Sequence, residues 1–207
     1  LIERSRPVLD GPLVIPFAEL GPEHLGLAGA KSVNLARMGS ELGLPVPGGF
    51  AVTTAAADLF LRENGLYESI DAMLARFEPG EEDSAKACRD VRESIEKAPL
   101  PQALEKALDA AFAELAAAEG PSLRVAMRSS AVGEDTEASF AGQYTTVLSV
   151  DREHVGEAYK RVLASKYTER AIVYRLKYGL TDAATPMGVG GVFFFNATAT
   201  TVIYTLD

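Results

Sequence analysis

From Leu66 to Glu119 the chain is rich in Ala, Glu, Lys and Leu, with breaks at Pro79-Gly80 and at Pro99-Leu100-Pro101. Residues of this kind favour helix and prolines end it, so the stretch predicts three helices separated by turns. Its Ala-rich run, Ala107, Ala110, Ala111, Ala113 and Ala116 to Ala118, accompanies Leu104, Leu108, Phe112 and Leu115 at the spacing of one apolar helix face. That spacing marks a packing surface with little chemistry. On either side the pattern changes to short apolar runs: Leu13 to Phe17, Phe50 to Val52, Leu123 to Met127, Tyr144 to Val150, and a hairpin of Val189 to Phe195 with Thr200 to Leu206. Strands flanking a helical block predict an α+β fold with a helical insert over residues 66–119.

The remaining helices are shorter. Gly21, Gly26 and Gly29 punctuate a loop, and Lys31 to Glu41 reads as a helix burying Val33, Leu35 and Met38, with Lys31 at its N-terminus. The segment Leu44 to Val52 is a turn feeding a strand, and Thr53 or Thr54 is placed to cap a helix from Ala55 to Glu63. Asp151 is similarly placed before a helix that buries Val155, Ala158, Tyr159, Val162 and Leu163. Another helix spans about residues 167–178 and carries Arg170 and Arg175. Residues 1–19 read as an extended lead-in to a domain over 20–207. Stopping on a strand, the chain is expected to be truncated.

Composition removes several classes of function. A formal charge of −9 repels nucleic-acid phosphates, so no nucleic-acid partner is expected and any anionic ligand needs a local basic site. The single cysteine, Cys88, excludes an internal disulfide framework, and the default location is the cytoplasm. The start mixes Glu3, Arg4, Arg6 and Asp10 with three prolines, giving neither a signal peptide nor a membrane span, so no membrane partner is expected.

Two segments have the makings of a phosphate site. In Gly26-Leu27-Ala28-Gly29-Ala30-Lys31-Ser32, small residues let backbone N–H groups approach an anion at a helix start, and Lys31 adds a mobile charge. It is not a GxxxxGK(S/T) loop, because Leu25 and Ala30 replace the required glycines. A Gly-rich turn into a helix with a solvated lysine is the other reading. The second segment begins Arg128-Ser129-Ser130 and runs as a polar loop to Gly142-Gln143. An arginine leaving a strand at the head of such a loop can offer its planar fork to phosphate oxygens, with Ser129 and Ser130 adding hydroxyl donors. Gly133 and Gly142 would let the loop close over a ligand as a lid. An acidic surface loop is the alternative.

The stretch Val125 to Ala131, continued by Gly133-Glu134-Asp135 and Ala138 to Gln143, resembles the signature of the ATP-binding domain of the phosphoenolpyruvate synthase and pyruvate phosphate dikinase family. Gly29 to Leu35 followed by Leu44 to Phe50 resembles a second family motif, and Ser165-Lys166-Tyr167 with Arg170-Ala171 and Tyr174-Arg175 a third. The resemblance implies an ATP-grasp-like fold whose lobes clamp ATP, with Mg²⁺ as cofactor. It makes Lys31 and Arg128, with Ser129 and Ser130, candidates for the phosphates. Gly133, Gly142 and Gln143 become lid or hinge positions, and Gly29, Arg170 and Arg175 secondary candidates, the alternative for the two arginines being a surface ion pair. Glu134 and Asp135 would orient the loop or approach a metal, although solvated acids are the commoner outcome.

In such a family ATP phosphorylates a histidine on a swivelling domain, which passes the phosphoryl group to pyruvate or another acceptor. Neither His24 nor His154 stands in a matching setting, so the histidine-bearing and pyruvate-binding domains are expected as partners outside this chain. The family strand reading approximately Met-x-Val-x-Val-Gln is here Met187-Gly188-Val189-Gly190-Gly191-Val192, without the glutamine. A non-catalytic nucleotide-binding or regulatory module derived from the same fold is the second functional reading.

Overall fold

The computed structural model describes residues 6, 8–132 and 142–194. Its helices are α1 (Leu25–Ser40), α2 (Thr54–Glu63), α3 (Leu66–Ala75), α4 (Glu82–Lys97), α5 (Gln102–Glu119), α6 (Val155–Ala164) and α7 (Glu169–Lys177). Its strands are β1 (Val14–Pro16), β2 (Gly49–Val52), β3 (Val125–Ala131), β4 (Thr146–Val150) and β5 (Met187–Phe193). The fold is α+β. The three helices expected over 66–119 are α3, α4 and α5, separated at Pro79-Gly80 and at Pro99-Leu100-Pro101. Thr53 caps α2 by accepting the Ala56 N–H at 3.3 Å, and Thr168 caps α7 by accepting that of Ala171 at 3.2 Å.

The strands form one antiparallel sheet in the order β1-β2-β5-β3-β4. Because side chains alternate between faces, the register sorts residues by face. One row across the sheet is Ile15, Ala51, Gly190, Arg128 and Thr146; the neighbouring row is Val14, Val52, Val189 and Ser129. Ile15 and Ala51 join a small core with Phe17, Leu20, Ala28, Val33 and Ala36, which places α1 on the first face. Val52, Val189, Phe50 and Met127 belong to the large core, made with residues of the helices from α2 onward. The sheet is thus covered heavily on one face, and on the other by α1 with the 3₁₀ turns that precede it.

Three sequence expectations change. The strand expected to end at Met127 continues to Ala131, so Arg128 lies within β3 and does not head a loop. Helix α1 begins at Leu25, and the break comes inside it: Gly29 has φ 73° and ψ 160°, which separates a first turn from the helix carrying Lys31. Asp151 Oδ1 accepts the His154 N–H at 3.1 Å, capping a turn before α6 rather than α6 itself. Gly133, with Glu134 and Asp135, and the second hairpin strand lie outside the described residues.

Candidate functional site

Two sequence motifs about a hundred positions apart meet where α1 breaks. Gly29 occupies the left-handed region, which glycine enters without steric cost. A Cβ there would stand 2.1 Å from the Ser130 carbonyl oxygen and 2.6 Å from Ser130 Oγ, so only a residue without a side chain lets helix and strand come this close. The helix restarting after Gly29 has N–H groups with no intrahelical acceptor. A cap residue ordinarily supplies one from its own side chain, to the second or third amide of the helix. Gly29 has none to offer. The Ser32 N–H instead donates to Ser130 Oγ at 3.1 Å, a buried bond delivered from β3. Leaving that amide unpaired would cost about 1–3 kcal/mol.

The sheet beneath is stripped of side chains to admit this contact. Gly188 faces Ser130 across the β3/β5 pair, and a Cβ on it would lie 3.2 Å from the Ala28 carbonyl oxygen and 3.3 Å from that of Leu27. Gly190 faces Arg128, and its Cβ would lie 3.1 Å from Ser32 Oγ. Glycines at 188 and 190 therefore form a floor for the start of α1, and their spacing of two on one strand is the signal for such a bare face. The neighbouring Gly191 serves the other face, where a Cβ would fall 2.5 Å from the Phe50 ring. Thr54 Oγ1 donates to the Gly26 carbonyl at 3.1 Å and ties the first turn of α1 to α2.

This arrangement puts Lys31 and Arg128 on the same face of the sheet. Lys31 is exposed beside the buried Ala30 and Ser32. Arg128 is the one exposed residue of β3, two positions from Ser130 on the α1 face, roughly 7 Å along the strand. Ser129 is not brought to them: it sits in the row of Val189 and Val52, toward the large core. Ser130 is 1% exposed and engaged with Ser32.

The other candidates fall into two groups. Gln143 and Arg170 meet each other, Arg170 Nε donating to Gln143 Oε1 at 3.1 Å on the surface; Gly142, next to Gln143, has φ 68°. Arg175, a secondary phosphate candidate whose alternative was a surface ion pair, is 2% exposed. It donates from Nη1 to the Lys166 carbonyl at 2.7 Å and lies with Nη2 3.6 Å from Asp182 Oδ1. Arg175 thus belongs to a buried charge cluster that the sequence reading missed. Asp182 is its centre, paired with Lys166 Nζ at 2.9 Å and Arg6 Nη1 at 2.8 Å, while Arg6 also bonds Asp71. Burial works against ionisation of Asp182, but Lys166, Arg175 and Arg6 outweigh it and bring its pKa down to about 2. The cluster borders a cavity of about 50 Å³ lined also by Asp58, Tyr67 and Tyr167. Two cations within one motif, Lys166 and Arg175, were the available hint that a buried counter-charge was needed.

His24 Nδ1 accepts the Gly21 N–H at 3.1 Å, and His154 Nδ1 lies 2.5 Å from Asp151 Oδ1. Each histidine serves its own turn. Among the described residues no group of three or more His, Cys, Asp or Glu converges in a way that could hold a metal ion. Among them also, no helix is long and apolar enough to cross a membrane.

Residues 25–207 match the family described as pyruvate phosphate dikinase, AMP/ATP-binding domain. The chain belongs to this family. It is 39% identical over 205 residues to the phosphoenolpyruvate synthase of Neisseria meningitidis serogroup B, an alignment covering 94% of this chain and 26% of the relative. The phosphoenolpyruvate synthase of Deinococcus radiodurans is 37% identical over 203 residues, with 94% and 26% covered. That of Escherichia coli is 35% identical over 187 residues, with 87% and 24% covered. The chain therefore spans about a quarter of the length of these relatives. Both halves of the helix–strand contact, Gly29 to Ser32 and Arg128 to Ser130, fall inside the region that defines the family.

Proposed function

We propose that residues 20–207 form the nucleotide-binding segment of an ATP-dependent phosphotransferase of the phosphoenolpyruvate synthase kind, with an ATP-grasp-like fold and a cytoplasmic location. The observation that carries this reading is the junction of Gly29 and Ser130, which sets Lys31 and Arg128 on one face of the sheet in a chain of net charge −9. Two exposed cations beside a helix start make a local basic site in an acidic protein, as an anionic ligand requires.

ATP, when bound, supplies the phosphoryl group. Lys31 contributes a compact charge on a flexible stem, suited to following a phosphate oxygen as charge shifts during transfer. Arg128 contributes a rigid fork from the middle of a paired strand, where the backbone hydrogen bonds on both sides fix its origin. Catalysis by such groups is positioning and charge neutralisation, with no covalent step on this segment. The acceptor would be a histidine on another domain of the same protein, which then hands the group to pyruvate or a related acceptor. Support for that extension comes from the relatives' names and from their length, about four times this chain.

Calorimetric titration of the full-length protein with ATP, in parallel with Lys31→Ala and Arg128→Ala, tests the reading. Binding by the wild type and a loss of at least about tenfold in each variant is expected, since each removes a charge-assisted contact. Undiminished binding in both variants would overturn it.

A further inference from the structure

We infer that Ser130 is a positioning residue, whose hydroxyl fixes the backbone of Lys31 relative to Arg128 and makes no contact with the nucleotide itself. The inference rests on the nucleotide-binding reading above and deepens it. Gly29 stands where a helix-capping side chain would be, and its neighbours Ala28 and Ala30 have no polar side chain to offer either. Ala28, Gly29, Ala30 and Ser32 are all buried, so water is a poor substitute. Ser130 Oγ is the acceptor that the Ser32 amide finds. The start of the lysine-bearing helix is therefore registered to β3 by a hydrogen bond from outside the helix. Arg128, two residues along that strand on the same face, is registered to the same point. One hydroxyl thereby sets the spacing between the two cations. At 1% exposed and already accepting the amide, it is poorly placed to bind a phosphate as well.

Threonine and valine at position 130 have the same shape and differ in the hydroxyl, so their comparison isolates it. In the full-length protein, ATP affinity is measured by calorimetry for Ser130→Thr and Ser130→Val, each alone and combined with Lys31→Ala. Loss of the hydroxyl should weaken ATP about fivefold or more in Ser130→Val relative to Ser130→Thr. The factor should vanish in the Lys31→Ala background, because the bond then positions nothing. An equal factor in both backgrounds would show a direct ligand and overturn the inference. So would equal ATP affinities with only a lower melting temperature for Ser130→Val, the mark of a purely structural serine. Should the branched pair not accumulate, Ser130→Ala against wild type, again with and without Lys31→Ala, gives the same comparison. If Lys31→Ala alone binds ATP like wild type, it is the phosphate role of Lys31 that fails, a result separable from the other two.

Discussion

Lys166 Nζ lies 2.9 Å from Asp182 Oδ1, and both side chains are almost sealed from solvent, at 6% and 2% exposure. Arg6 and Arg175 reach the same carboxylate, so it neutralises charge from the chain start, from α7 and from the turn before it. Removing one member of a buried ion cluster strands the rest, which commonly costs about 3–5 kcal/mol. Asp182→Asn should therefore lower stability by about that much in urea denaturation, while leaving Lys31 and Arg128 in place.

The same carboxylate predicts an acid limb. Its folded pKa of about 2 lies below the ordinary value of 3.8, so the folded state holds the ionised form more tightly than the unfolded chain does. Stability from this group is full above about pH 4 and is lost as pH falls toward 2. The shift corresponds to roughly 2 kcal/mol. Stability measured at steps from pH 5 to 2 should fall less steeply in Asp182→Asn than in wild type.

Much of the fold was legible because local signals and tertiary needs agreed. The prolines bounding α4 and the threonine cap of α2 act through nearest neighbours, which a sequence displays directly. What was hidden depended on partners distant in the chain. Nothing near Arg128 shows that the strand runs on to Ala131; that follows from its pairing with β5, from Val125 opposite Phe193 to Ala131 opposite Met187. Likewise Gly190-Gly191, which by sequence marks a departure from the family pattern, is explained only by Ser32 above one face and Phe50 above the other. The alternation that separates Ser129 from Ser130 appears once the strand is known to include both.

Gly191 supports a direct test of that explanation. A side chain there must displace the Phe50 ring, which is 0% exposed and packed in the large core. Overpacking of this kind typically costs about 1–3 kcal/mol. Gly191→Val should lose that much in chemical denaturation, even though valine is otherwise favoured in strands. A neutral or stabilising result would mean that the ring is free to move aside.

Gly29 faces two penalties at once. Its φ of 73° with ψ of 160° is a conformation that residues with a Cβ essentially avoid, at a cost of roughly 1–3 kcal/mol, and that Cβ would meet backbone at Ser130, which cannot rotate away as a side chain would. Gly29→Ala should therefore destabilise by more than about 2 kcal/mol on thermal or urea denaturation. It should also weaken ATP binding beyond its effect on stability, because relief of the clash requires the start of α1 to leave β3.

Arg128 should behave in the opposite way. It is exposed within β3, opposite Gly190 and Thr146, and α1 covers the neighbouring Gly188 and Ser130 without covering it. Little packing is lost on truncation, so Arg128→Ala should change stability by no more than about 0.5 kcal/mol, as surface substitutions usually do. If its fork grips phosphate oxygens, however, a lysine at the same place keeps the charge and loses the paired donors. Arg128→Lys should then recover only part of the ATP affinity lost in Arg128→Ala, and the two variants should unfold at the same urea concentration. Full recovery by lysine would show that charge alone suffices at this position, and would shift the geometric discrimination to the start of α1.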